Sequence, residues 1–399
     1  YVGGGSTLNV SAAGALGNSA GVLAADDAVT LSASGIDNRR GTIASFDASL
    51  FADAGDGRFA NDAARIEAAT SIILRSGVFD NAGGVIVGRQ LAIDSGTRTL
   101  DNAQGTLAAG QTIDLRSGPL TNTGGLIQSG GVLAIDTHGH ALDNAGSNSV
   151  IQAQGTLAIS AGPLGNTQGT ISSHGEIVLS TQTIDNRRGR ISAGQGLAVY
   201  AERQIVGSQG TLSAGDDIRL HAAGIDNSGG TIVSARGGVS ADATDEALDN
   251  TRGYIQATGS VTLSGMGIGN AGGTITGRHL QVGSRLEPID NTHGTMSASA
   301  NLELRGGAVF NDDGLIQSEG SLDIDTAGQA LSNTRSGGSS WIVARGDLRI
   351  SAGELNNSDG SISGQRTVTV SARKLRNTHG QVVALGGLDV GVDQNLDNA

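Results

Sequence analysis

The sequence predicts an all-β chain, wound as a right-handed parallel β-helix of about 19 coils with three short strands per coil. Three observations predict it: a composition poor in aromatics and rich in glycine, a repeat with a mean period near 21 residues, and period-two apolar alternation between closely spaced turns. Among 399 residues there are 65 Gly, 3 Pro and no Cys, and only 2% are aromatic, whereas a compact core of this size draws much of its buried area from Phe, Tyr and Trp. Ala, Val, Ile and Leu nevertheless hold the hydrophobic fraction at 37%, which argues against disorder. Gly is not spaced at every third position, so a collagen helix is excluded.

The repeat is a phrase of a large aliphatic residue, any residue, Asn, and Gly three positions later, as in Leu100-Asp101-Asn102 with Gly105. The anchors are Asn18, Asn38, Asn61, Asn81, Asn102, Asn122, Asn144, Asn166, Asn186, Asn227, Asn250, Asn270, Asn291, Asn311, Asn333, Asn357, Asn377 and Asn398. Gly207 occupies the one remaining anchor position. Within residues 105–122, Ile113 and Leu115 alternate with Thr112 and Asp114, and Gly or Ser-Gly turns recur about every six residues. A helix needs a longer run without such breakers. Strands this short pair only with their copies one coil above and below, about 4.8 Å away. The right-handed winding is the usual preference for parallel crossovers.

Stacking at that repeat sets each anchor Asn over the next, so that each amide donates to the following side-chain carbonyl. A structural Asn ladder is therefore expected at all the anchors. The corner needs a left-handed residue, a role expected of the Asn and its following Gly. The whole of 1–399 reads as a single continuous array with irregular coils at 46–64, 144–152 and 333–344. Residues 1–30 have no initiator Met and no apolar leader, so the array is expected to be an internal piece of a longer chain, with neighbouring β-helical segments at both ends.

Departures from the repeat are the places where a specific function would lie. Phe46, Phe51 and Phe59 lie in one irregular coil, 46–64, and Trp341, the only Trp, lies in another, 333–344. Each reads as packing in a core or corner, or as a contact for a partner. The net charge of −13, with Lys374 the only lysine, argues against a nucleic-acid partner. No apolar run is long enough for membrane insertion. The absence of Cys fits export through an oxidising compartment. Asp precedes nine of the anchor Asn residues, a pattern read as a solvated acidic edge rather than a calcium ladder. His138 and His140 read as a solvated turn. No spacing for a nucleophile elbow, a zinc site or a phosphate loop is present, so no catalytic residue, metal or cofactor is expected.

The phrases LDNAQGTLAAGQTIDL, IDNSGGTIVSA and LRNTHGQVVA resemble the haemagglutinin repeats of large bacterial exoproteins. That family comprises filamentous haemagglutinin adhesins and contact-dependent growth inhibition toxins exported by two-partner secretion. The resemblance covers the chain. It implies a filament projecting from a Gram-negative outer membrane, passage through an outer-membrane β-barrel transporter, and a target-cell receptor or glycan it does not identify. The expected function is a stalk giving reach for adhesion or toxin delivery. The alternative is a β-helical carbohydrate-active enzyme or a glycan-binding module.

Overall fold

The computed structural model describes residues 2–399, and among them there are 52 strands and no helix. The strands stack as a parallel β-solenoid, with about 19 turns of roughly 20 residues each. The chain divides into two compact units, Tyr1–Glu202 and Arg203–Ala399.

In the first unit, a representative coil consists of the strands Leu126–Ser129, Leu133–Asp136 and Leu142–Asp143. Each pairs in parallel with its counterpart in the following coil. Leu126 opposes Val150, Leu133 opposes Leu157 and Leu142 opposes Leu164. Alternation fixes this register, because a slip by one residue would turn every aliphatic side chain outward. In Val85–Asp94 and Thr106–Arg116 the first two strands of a coil run together through the corner, with a register shift between Gly88 and Gln90.

The second unit repeats the plan, with Thr274–Gly277, Leu280–Ser284 and Ile289–Asp290 pairing with Thr295–Ala298, Leu302–Arg305 and Val309–Phe310. Here the second and third strands merge in Leu348–Asn356, Val368–Arg376 and Leu388–Asp397.

The core is a set of aliphatic columns. One column comes from the first strand (Ile127, Ile151, Ile171), two from the second (Leu133 and Ile135, Leu157 and Ile159) and one from the third (Leu120, Leu142, Leu164), all buried. The third column widens at Phe59 and Phe79, which are fully buried with ring centroids 5.1 Å apart.

Candidate functional site

The repeated corner after the third strand is the most elaborated site in the fold. In the first unit, each Asn Nδ2 from Asn18 to Asn166 donates to Oδ1 of the next anchor, ending at Asn186, at 2.7–2.8 Å. In the second unit, Asn227 to Asn377 donate in the same sense, ending at Asn398, at 2.6–2.8 Å. The anchors are buried except Asn398. The second amide proton is shared between backbone carbonyls, as when Asn102 reaches both Gly105 O and Leu126 O at 3.3 Å. The backbone alone makes the turn. At Gly207, which has no side chain, the Gly210 N–H still donates to Gly207 O at 2.7 Å.

The left-handed residue is not where the sequence suggests. It lies two positions after the anchor, at Ala20, Arg40, Gln104, Gln168, Arg188 and their equivalents, with φ near +55° (Gln104, φ 56). The Gly three positions after the anchor has another purpose. A Cβ on Gly105 would come within 2.6 Å of Asn102 Oδ1 and 2.8 Å of Asn81 Nδ2, and would collide with the Asn81 carbonyl. In a corner of ordinary length Gly is favoured there because the ladder leaves little room for a side chain. Three anchors lack that Gly: Ser147 and Ser336 stand in the two lengthened corners, and Ala64 stands in a corner of ordinary length, where among the described residues the Asn61 amide bonds only Asn81. The Ala64 N–H to Asn61 O bond also lengthens to 3.2 Å, against 3.0 Å for Gly105 to Asn102.

The Asp before the anchor also has a structural partner, not simply solvent. In eight of the nine cases its Oδ1 accepts the backbone N–H of the residue after the anchor, as Asp101 does from Ala103 at 2.8 Å. Such Asx turns close the corner. Arg39 adds a two-pronged ion pair to Asp37 at 2.9 and 2.6 Å, which holds that carboxyl well below its usual range. Arg187 lowers Asp185 in the same way. Asp80, the ninth, bonds Arg58 instead; burial outweighs that cation and raises its pKa. Lys374 lies 2.8 Å from Glu354 and lowers it.

The candidate contact residues separate. Phe59 belongs to the core. Phe46 stands 55% exposed at a turn, and Phe51 is half-buried on the outer face under the Arg75 guanidinium, 5.8 Å from its ring centroid. Trp341 is neither core nor corner packing. It is 51% exposed, on the outward side of Trp341–Ala344 beside Leu315. The longer corner that precedes it is tied down. Asp313 accepts from the Ser336 hydroxyl at 2.6 Å and from the N–H groups of Ser336, Gly337 and Gly338 at 2.8–3.2 Å. These donors, the Ser336 hydroxyl first, hold its pKa far below the ordinary value. Asp312 accepts from Ser332 and Thr334, and the Ser340 hydroxyl donates to Asn311 O and Asn333 Oδ1. In the shorter corner at 144–152, Ser149 performs the same tie through Ala145 O and Gly124 N.

His138 and His140 do not converge. Their Nδ1 atoms face the carbonyls of Ser117 and Thr137, each at 3.0 Å. No group of three acidic or His side chains suited to a metal occurs among the described residues. Asp216 and Asp217 pair with Arg236 and Arg219.

In each unit, repeated coils with a buried Asn column define a structural repeat protein. The haemagglutinin repeat family matches residues 2–56, 47–146, 138–199, 203–247, 235–281, 289–338 and 342–399, and the chain belongs to that family. No curated protein and no solved structure matches it.

Proposed function

We propose that this chain is a filament segment of a large secreted bacterial surface exoprotein, which provides reach for cell adhesion or contact-dependent toxin delivery. One observation carries the reading: haemagglutinin repeats match along the chain, and each matched stretch folds into successive coils of parallel strands. A stack of this kind lengthens by a fixed increment per coil, about 4.8 Å, without changing its cross-section. The partner that fits the reading is an outer-membrane β-barrel transporter. The chain would cross it unfolded and coil outside, on the surface of a Gram-negative cell.

The test is antibody labelling of intact producing cells, with and without the transporter gene. Surface label that disappears with the transporter is the expected result. Label retained inside the cell envelope, or unaffected by removal of the transporter, would overturn the proposal. A toxin-like domain at the far carboxy end of the reading frame, followed by a short cognate gene, would select delivery. A receptor-binding domain without such a neighbour would select adhesion.

A further inference from the structure

In the second unit the first strands of successive coils form a flat outer face, two side chains wide. The outward positions run from Thr211 and Ser213 to Gln381 and Val383, and none is acidic, basic or His. The second strands of the same coils carry Arg219, Asp242, Glu303, Arg305, Asp323 and Arg349 outward. In a chain that is 16% charged, the neutral strip is a local property of one face.

Two aromatic side chains mark the strip. Tyr254 is 37% exposed and Trp341 51%. They share one column, linked through Thr274, Thr295 and Leu315, so four coils separate them. That places them about 19 Å apart along the stack. The polar groups beside them are held in place. Tyr254 O–H donates to Gln256 Oε1 at 2.8 Å, and Gln317 Nε2 to Ser297 Oγ at 2.9 Å.

A second, independent observation is the corner that the Asp312–Asp313 pair ties down immediately before Trp341. The Asp313 side chain is only 3% exposed and accepts from three successive N–H groups, so the segment 334–340 is a fixed ledge. The first unit contains a sequence counterpart, with LIQSGG at 126–131 where the second has LIQSEG at 315–320. There the corner is two residues shorter, Thr123 and Gly124 replace the acids, and Val150 replaces Trp341. The acids, the longer ledge and the Trp occur together in one copy and are absent together from the other.

We propose that this strip binds a neutral, linear oligosaccharide lying along the stack, with a pyranose ring pressed on Trp341 against the 334–340 ledge and the chain running toward Tyr254. A flat exposed indole suits the C–H face of a sugar ring, which carries no charge and little polarity. Thr, Ser and Gln both donate and accept, as sugar hydroxyls do. The strip itself offers no counter-ion to a charged glycan, and the ledge beside Trp341 carries a single cation, Arg335. A peptide adding as a strand is disfavoured, because the backbone edges of these strands are already paired on both sides. The inference goes beyond the filament reading and holds for either adhesion or delivery.

Trp341 is the only Trp, so intrinsic emission reports on this site alone. The intact chain is titrated with β-1,4-linked hexasaccharides of glucose, mannose and N-acetylglucosamine, and with oligogalacturonate and heparin-derived hexasaccharides as charged counterparts. Saturable change in Trp emission with at least one neutral sugar is expected. By calorimetry, Trp341→Ala should weaken that sugar about tenfold or more, Trp341→Phe should restore most of the loss, and Tyr254→Ala should weaken the hexasaccharide but not its disaccharide. Asp313→Ala should weaken binding with far-UV circular dichroism unchanged. No saturable response to any neutral sugar, binding only of the charged set, or affinity unaltered in Trp341→Ala would each overturn the proposal. All are separable from failure of the filament reading, which is judged on cell-surface location.

Discussion

At the scale of a residue, Asn102 shows why a simple turn former would not suffice at the corner. It accepts from Asn81 at 2.8 Å and donates to Asn122 at 2.7 Å, wholly out of solvent. Only a side chain with both an acceptor and a donor serves both neighbours. Asn102→Ala should cost about 2–3 kcal/mol in urea denaturation, since an amide above and a carbonyl below lose their partners. Asn102→Asp should be worse at neutral pH, because a buried carboxylate would face Asn122 Oδ1. Burial raises the folded pKa of such an acid, so that variant's stability should fall as pH rises from about 4 and recover on acidification. Loss of stability no larger than that of Thr123→Ala would refute the role assigned to the column. The Asn was legible in the sequence because the ladder tolerates few substitutes. The Asp that precedes it was legible as a pattern but not as an Asx turn, since its partner is a backbone N–H that any residue supplies.

At the scale of an element, the strands were legible and the corners only partly so. Alternation such as Leu133-Ala134-Ile135-Asp136 matches the observed in-and-out order residue for residue. The left-handed position is not legible in the sequence, because Ala, Arg, Gln, His and Asp all occupy it and leave no compositional mark. The conserved-looking spacing of Gly pointed to backbone conformation, whereas the cause is close approach of the preceding coil. These two causes separate by mutation. Gly105→Ala should destabilise by about 1–3 kcal/mol through overpacking, while Gln104→Gly should change stability by no more than about 1 kcal/mol. The reverse order in thermal melts would reassign the strain to the Gly. Trp341 could have been placed from sequence: aligning WIVA at 341–344 with LIQS at 315–318 puts it at the outward first position, but the longer corner disguises that phase.

At the scale of the whole molecule, carboxylates that accept hydrogen bonds link stability to pH. Asp37, Asp185, Asp313 and Glu354 all have lowered pKa values when folded, whereas that of Asp80 is raised. A depressed carboxyl stabilises fully above its unfolded pKa, near 4, and that contribution is lost as pH falls toward the folded value. The melting temperature should therefore hold steady from pH 7 to 5 and drop below pH 4. Exposure of the ion-paired members screens their share, so the hydrogen-bonded Asp313 should contribute even in high salt. A melting temperature that rises on acidification to pH 3 would contradict this account. Composition and period showed the sequence to be a solenoid. The neutral face emerged only once the coils were stacked, because its members lie about 20 residues apart in the chain.

The Asn column also has a direction. Every side-chain amide in a unit points its N–H toward the carboxy-terminal neighbour, so the small dipoles add head to tail like those of a helix backbone. A growing stack thus presents a side-chain donor to the coil that comes next in the chain, except at Gly207, which has no side chain. Coils added in chain order would each meet a waiting N–H, so refolding from the amino-terminal end is expected to outpace refolding from the other.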